Sequence, residues 1–362
     1  MKPRFEISRK IVLEKFDEFR KIADSVSYSS KTNPVVTGIL EKERDCFFSI
    51  HSINELKNVK DKSRVVFLAQ GWDSEELKSL LFEGVRFFVV DNIQDLKILK
   101  DYLKRNFIPG VSVFLRLKLR ENSIRTEKYF VFGFDSKFIN SEIKKLKEFT
   151  GIEKVGIHFH RKTQNVSEWD LEKEIEEVIE EDVLKELDYI IFGGGLPSVY
   201  ANTNVKIFRG IFEKLKVFLE KMNSFGIKVI AEPGRYIAAP AGKLVSHVKA
   251  VYENNIVVDV SVYNSDLDAL IVPVKLLVDG EVERGTARCI LRRDKTSNCG
   301  KKGYEPYVIK GVTPCSMDLF RYRVYLKERP NVGDNLIFLN AGAYNFRTDF
   351  CDLEKVETEI VD

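Results

Sequence analysis

The strongest constraint on this chain is a repeated alternation over its first two thirds. Short apolar runs are separated by stretches of helical period. The runs are Ser27–Ser30, Cys46–Ile50, Arg64–Ala69, Arg86–Val90, Ser112–Leu117, Lys154–Phe159, Tyr189–Phe192 and Ile227–Ala231. The helical stretches include Ser74–Phe82, Ile93–Lys104, Ser141–Phe149, Asp170–Leu187 and Ile207–Phe225. Strands alternating with amphipathic helices build a parallel sheet covered by helices. Eight such units in roughly 230 residues match the size of a closed (β/α)8 barrel. An open doubly wound sheet is the alternative, but no GxGxxG opens an early helix.

Past Gly242 the pattern changes to short β-rich runs: Val245–Val251, Ile256–Val260, Ala269–Val278, Ala287–Leu291, Tyr307–Lys310, Arg321–Val324 and Asn335–Leu339. Turn residues separate them, as in Asp279-Gly280, Asn298-Cys299-Gly300 and Arg329-Pro330-Asn331. The reading is an α/β barrel over residues 1–240 followed by an all-β domain over residues 241–362.

Composition narrows the function classes. Charged residues make up 31% of the 362, with a net charge of only +3. That balance argues against a nucleic-acid or membrane role driven by charge. The five cysteines, Cys46, Cys289, Cys299, Cys315 and Cys351, have no CxxC spacing and an odd count. They read neither as a disulfide framework nor as a zinc site, and no metal is expected. No apolar run reaches the ~20 residues a membrane helix needs. The expectation is a soluble protein of the reducing cytoplasm.

Two motifs stand where candidate strands end. Gly193-Gly194-Gly195 follows Tyr189–Phe192, and Glu232-Pro233-Gly234-Arg235 follows Ile227–Ala231. Glycines at a strand exit let backbone N–H groups approach an anion closely. The loops after the last two barrel strands are the usual phosphate site of this architecture. A phosphate cradle with a carboxylate beside it suits pyridoxal phosphate, whose ring nitrogen needs an acid partner. Lys31, in Lys31-Thr32-Asn33-Pro34 at the end of the first candidate strand, is placed to carry a Schiff base if its pKa is lowered.

With Gly342-Ala343-Tyr344, these ordered motifs make nearly the whole chain resemble the pyridoxal-phosphate decarboxylases of the alanine-racemase-like fold. That family includes the ornithine, diaminopimelate and carboxynorspermidine decarboxylases. The resemblance implies that Lys31 holds the cofactor, Glu232 faces the ring nitrogen, and His160 stacks on the ring. It implies that Thr163, Gly193, Gly194, Gly195, Gly234, Arg235 and Tyr344 serve the phosphate. Cys315, reaching over from the second subunit of a homodimer with shared sites, would help return a proton after CO2 leaves. His158 would be a buried neighbour in the barrel mouth. Glu55 and Arg116 match family residues there, with local salt bridges as the alternative.

Two features depart from the family pattern. Arg161 and Lys162 replace small residues in the loop before Thr163, which puts its geometry in question. Val272 stands where related enzymes carry an aspartate or arginine for the distal end of the substrate, and Ser316 replaces an acidic residue. Asp266, Asp268 and Asp318 are the remaining candidates for reading a distal amine, and each could be an ordinary turn residue. The implied activity is decarboxylation of a diamino acid or carboxylated polyamine, in amino-acid metabolism or polyamine biosynthesis. A racemase on the same fold and a non-catalytic regulator derived from a decarboxylase stay open, although Glu232 argues against the racemase.

Overall fold

In the computed structural model, residues 2–119, 132–282, 305–345 and 347–362 are described. The first strand, β1 (Arg4–Ser8), joins the C-terminal sheet. The closed barrel comprises β2 (Ser25–Ser29), β3 (Phe47–Ile50), β4 (Val65–Phe67), β5 (Phe87–Val90), β6 (Val111–Arg116), β7 (Ile152–Arg161), β8 (Tyr189–Gly194) and β9 (Lys228–Glu232). Neighbouring strands run parallel, and β9 closes on β2 with Ser25 opposite Ile230 and Val26 opposite Ala231. All eight staves fall on the expected apolar runs. Val66, Val89, Phe114, Ile191 and Ile230, from five strands, meet in one buried cluster. Gly156 on β7 belongs to the same packing: a Cβ there would lie 2.7 Å from the Phe114 ring, so glycine makes room for the aromatic.

The helices start where side chains can cap them. Ser74–Phe82 opens on a capping box between Asp73 and Glu76. Ile93–Arg105 is capped by Asn92. The helix expected from Ser141 begins instead at Ser136, because Asp135 caps the Phe138 N–H at 2.8 Å. The single helix expected over Asp170–Leu187 is two, Leu171–Val178 and Glu181–Leu184. Asn140 holds the break: its amide donates to Val178 O at 3.1 Å and accepts from Glu180 N at 3.2 Å. These bonds give the interrupted helix the partners it lacks there.

The chain divides into two compact units. One holds Leu13–Pro197 and Lys206–Tyr236; the other holds Met1–Val12, Ser198–Val205 and Ile237–Asp362. The expected boundary after residue 240 falls inside the helix Arg235–Ala241, close to this switch. The inclusion of the first residues in the second unit was not expected. It follows from pairing: β1 runs antiparallel to β10 (Gly242–Tyr252) and parallel to β16 (Glu357–Val361). The same sheet contains β11 (Asn255–Val258), β12 (Leu277–Val278), β13 (Glu305–Lys310), β14 (Leu319–Leu326) and β15 (Asn335–Leu339).

The β-rich region also carries short helices that were not expected. Val262–Ser265 and Asp268–Ile271 are short helices, and the run Ala269–Val278 is a strand only at Leu277–Val278. A Ser261–Asn264 capping box starts the first of these helices. The expected run Ala287–Leu291, the turn Asn298-Cys299-Gly300 and the cysteines Cys289 and Cys299 lie outside the described residues. Among the described residues, no helix is long and apolar enough to cross a membrane.

Candidate active site

The carboxyl ends of the barrel strands gather most of the residues singled out by sequence. β2 ends at Ser29, and a 3-10 turn, Ser30–Thr32, presents Lys31. Asn33 then caps the next helix, its Oδ1 accepting from Val35 N at 3.0 Å, and Pro34 takes the first helical position. Lys-Thr-Asn-Pro is therefore a strand exit and a helix start in one motif. Burial lowers the pKa of Lys31; Glu232 and Glu55 oppose that shift and Arg116 adds to it. These four charged groups act on one another in the barrel mouth.

Glu232 closes β9 and is buried. Its Oε2 lies 2.9 Å from His158 Nε2, and its Oε1 lies 3.7 Å from His51 Nε2. Burial alone would raise its pKa, but the hydrogen bond with His158 and the nearby His51 ring reverse this and hold it well below the usual carboxylate range. Burial in turn lowers the pKa of His158, more than Glu232 can raise it. A neutral imidazole beside an ionised carboxylate must carry its proton on Nε2, so His158 is the donor.

His158 and His160 share one face of β7, as alternation requires. Burial likewise holds His160 neutral, with its pKa pushed down to about 3. Gly193 lies where these groups converge: a Cβ there would be 2.9 Å from Glu232 Oε2 and 3.0 Å from both His158 Nε2 and His160 Nδ1.

Gly194 ends β8, and Gly195 follows it. Gly194 and Gly195 have φ of +62° and +75°, a region that favours glycine. A Cβ on Gly194 would strike the His160 ring, and one on Gly195 would lie 2.5 Å from Arg161 Cβ. Arg235 is buried, and its Nε donates to Thr163 Oγ1 at 2.9 Å. Gly234 abuts Thr32 so closely that a Cβ would run into the hydroxyl. The bulk of Arg161 is directed elsewhere. Arg161 lies on the opposite face of β7 from His160, is buried, and pairs with Glu174 of the helix Leu171–Val178. It braces the helix layer, and Thr163 remains beside Arg235.

Arg116, at the end of β6, is paired with Asp91 at 2.8 Å and lies over the Phe132 ring at 5.0 Å. Asp91 also accepts from Gly133 N at 3.0 Å. Glu55 accepts from the His51 backbone N–H at 2.7 Å. Neither His51 nor Asp91 was singled out by sequence. Both follow a barrel strand directly, and that position is the signal that could have found them.

The remaining predicted residues lie in the other compact unit. Cys315 is half-buried, with Sγ 3.1 Å from Tyr263 Oη, a partner the sequence did not reveal. Asp318 was a candidate for binding a distal amine, but its carboxylate is engaged by its own loop and by the helix that begins at Val262. It accepts from Val262 N at 2.9 Å, Thr313 N at 2.9 Å and Thr313 Oγ1 at 2.6 Å. Asp266 and Asp268 are buried around the short helix Asp268–Ile271, Val272 is half-buried and Ser316 is exposed. Tyr344 is half-buried, with its backbone in the left-handed region at φ 58°.

Residues 9–239 match the family model described as the pyridoxal-dependent decarboxylase, pyridoxal binding domain. The chain belongs to this family. Diaminopimelate decarboxylase of Aquifex aeolicus is 25% identical over 271 residues, covering 68% of this chain and 62% of that protein. Diaminopimelate decarboxylase of Helicobacter pylori is 24% identical over 282 residues, covering 70% of this chain and 67% of that protein. The matched stretch thus spans less than two thirds of the first of these relatives.

Among solved structures, lysine/ornithine decarboxylase of Vibrio vulnificus, complexed with cadaverine, aligns with a TM-score of 0.76 at 22% identity. That alignment covers 99% of this chain and 94% of the other. Arginine decarboxylase of Paramecium bursaria Chlorella virus aligns with a TM-score of 0.76 at 19% identity, covering 100% and 96%. At these identities the likeness is one of fold.

The site fits the pyridoxal phosphate of the decarboxylase family. An aldehyde needs an amine, and Lys31 is a half-buried one with a lowered pKa. A pyridine nitrogen needs a carboxylate that stays ionised, and Glu232 is held in that state. A phosphate needs donors with room around them. Two left-handed glycines whose Cβ positions are closed to side chains, a threonine hydroxyl and a buried guanidinium supply these.

Proposed function

We propose that this protein decarboxylates an amino acid with pyridoxal phosphate as cofactor. The observation that carries the reading is Glu232: a buried carboxylate kept ionised by His158 at 2.9 Å and acting electrostatically on Lys31. When bound, pyridoxal phosphate supplies a ring that draws in the electron pair freed as CO2 leaves. Lys31 Nζ holds the cofactor. Glu232 holds a proton at the ring nitrogen, and His158 fixes the carboxylate for that task. His160, neutral, packs on the ring. Thr163, Gly193, Gly194, Gly195, Gly234, Arg235 and Tyr344 bind the phosphate end. Cys315 of the partner subunit returns a proton, in a homodimer whose sites are shared. The free thiols Cys46, Cys315 and Cys351 suit a reducing compartment, and we assign the enzyme to the cytoplasm.

The substrate we infer is a diamino acid or a carboxylated polyamine. The diaminopimelate decarboxylase relatives, and the fold shared with enzymes named for lysine, ornithine and arginine, support a substrate with a polar distal end. Val272 stands in place of a charged reader, and Asp266, Asp268 and Arg116 are the candidates we put forward for that role. A buried ammonium without a carboxylate loses several kcal/mol. Unless Asp266, Asp268 or Asp318 supplies that carboxylate, ornithine is expected to be a poor substrate, with kcat/KM below ~10⁴ M⁻¹s⁻¹. The test is CO2 release from a panel of diamino acids and carboxylated polyamines. Turnover of one of them supports the reading. No CO2 from any, with pyridoxal phosphate bound, would favour the non-catalytic regulator.

A further inference from the structure

Cys315 does not stand alone. Its sulfur lies 3.1 Å from the hydroxyl of Tyr263, and the Tyr263 ring stacks on Phe350 with centroids 4.1 Å apart and planes 27° apart. The two residues come from segments far apart in sequence, so something must fix them together. That is Asp318. Its carboxylate takes the N–H of Val262, next to Tyr263, and both the N–H and the hydroxyl of Thr313, next but one to Cys315. Gly311 completes the clamp, since a Cβ there would collide with the Asp318 carboxylate. One buried acid thus ties the cysteine loop to the tyrosine helix. The Phe350 ring limits where the phenol can swing.

We propose that Tyr263 is a positioning residue for Cys315: its O–H is held to donate to the sulfur, making the pair a dyad that stabilises a thiolate. The proposal rests on the functional reading only in giving the thiol a proton to deliver. When Cys315 gives up that proton, the sulfur is left negative, and the Tyr263 O–H is in place to hold the charge. The Tyr263 bond is the largest influence lowering the thiol pKa, and the backbone N–H groups of Met317 and Asp318 act in the same direction. Burial and the Asp318 carboxylate oppose them. On the phenol side, the bond to Cys315 is the largest of the influences that raise Tyr263 to about 12; burial, Asp318 and Cys351 also raise it. The phenol therefore keeps its proton at neutral pH.

The test is the rate of iodoacetamide alkylation of Cys315 against pH in the full-length protein, followed on the Cys315 peptide by mass spectrometry. Tyr263→Phe keeps the ring on Phe350 and removes only the hydroxyl. The midpoint should rise by about one pH unit, with alkylation at pH 7 slowed about tenfold. A midpoint unmoved by Tyr263→Phe would overturn the dyad. If that variant does not fold, the reciprocal measurement serves. Cys315→Ala should bring the Tyr263 titration, read by NMR on ¹³C-labelled tyrosine, down toward about 10; no change there would also overturn it. Both readouts need no substrate, so failure to find decarboxylation leaves them intact, and their failure leaves the decarboxylase reading intact.

Discussion

A neutral histidine next to an ionised carboxylate, both buried, gives the barrel mouth a definite response to acid. The folded-state pKa of His158 lies below its ordinary value because burial disfavours the imidazolium. The unfolded chain then binds that proton more readily. Stability from His158 is therefore present above about pH 6.5 and lost as pH falls below it. His160 acts in the same window with the same sign, since burial pushes it down to about 3. Glu232 acts lower: its depressed pKa contributes stability above about pH 4.3 that is lost only in stronger acid. Urea unfolding should show a midpoint that falls between pH 7 and 5. His158→Gln can still donate to Glu232 but does not titrate. It should flatten that fall by about 1–2 kcal/mol. A wild-type midpoint that does not change from pH 7 to 5 would contradict the buried, neutral imidazole.

The turn after β8 is the element on which the cradle depends. Gly194→Ala puts a methyl into the His160 ring at a left-handed backbone position. It should weaken pyridoxal phosphate binding at least tenfold and destabilise the fold by about 1–3 kcal/mol. Equilibrium dialysis and chemical denaturation measure the two effects. Unchanged affinity would remove this turn from the cofactor site.

This turn was legible in the sequence because three glycines directly after an apolar run mark a strand exit with no room for side chains. The barrel strands were legible for a similar reason: a strand buried on both faces must be an apolar run. Asp268–Ile271 was not, since four residues are too few for a helical period to show, and Ala269–Val278 looked like a strand. The break after Val178 was hidden because it depends on Asn140, distant in sequence. β1 was hidden too: a five-residue segment carries no sign that its partners are β10 and β16. Among the site residues, Lys31 and Glu232 were legible because each stands in a motif. His51, Asp91 and Tyr263 were not, because each is defined by a partner from another strand or loop.

For the assembled molecule, a shared site requires two chains. Lys31 and Cys315 lie in different compact units, and the proposed function joins Lys31 of one chain to Cys315 of the partner subunit. Lys31→Ala and Cys315→Ala homodimers should each be nearly inactive. After subunit exchange, a mixture should recover up to about a quarter of wild-type activity, since half the dimers then carry one intact site. No recovery, with exchange verified by mass spectrometry, would place Lys31 and Cys315 of each site on one chain.

On the proposed function, this barrel holds pyridoxal phosphate on Lys31. The direct measurement is borohydride reduction of the cofactor-loaded protein, followed by peptide mass spectrometry. A single reduced pyridoxyl-phosphate adduct is expected on the peptide carrying Lys31, and none on Lys31→Ala protein. An adduct on another lysine in the wild type, or no adduct at all, would contradict the claim.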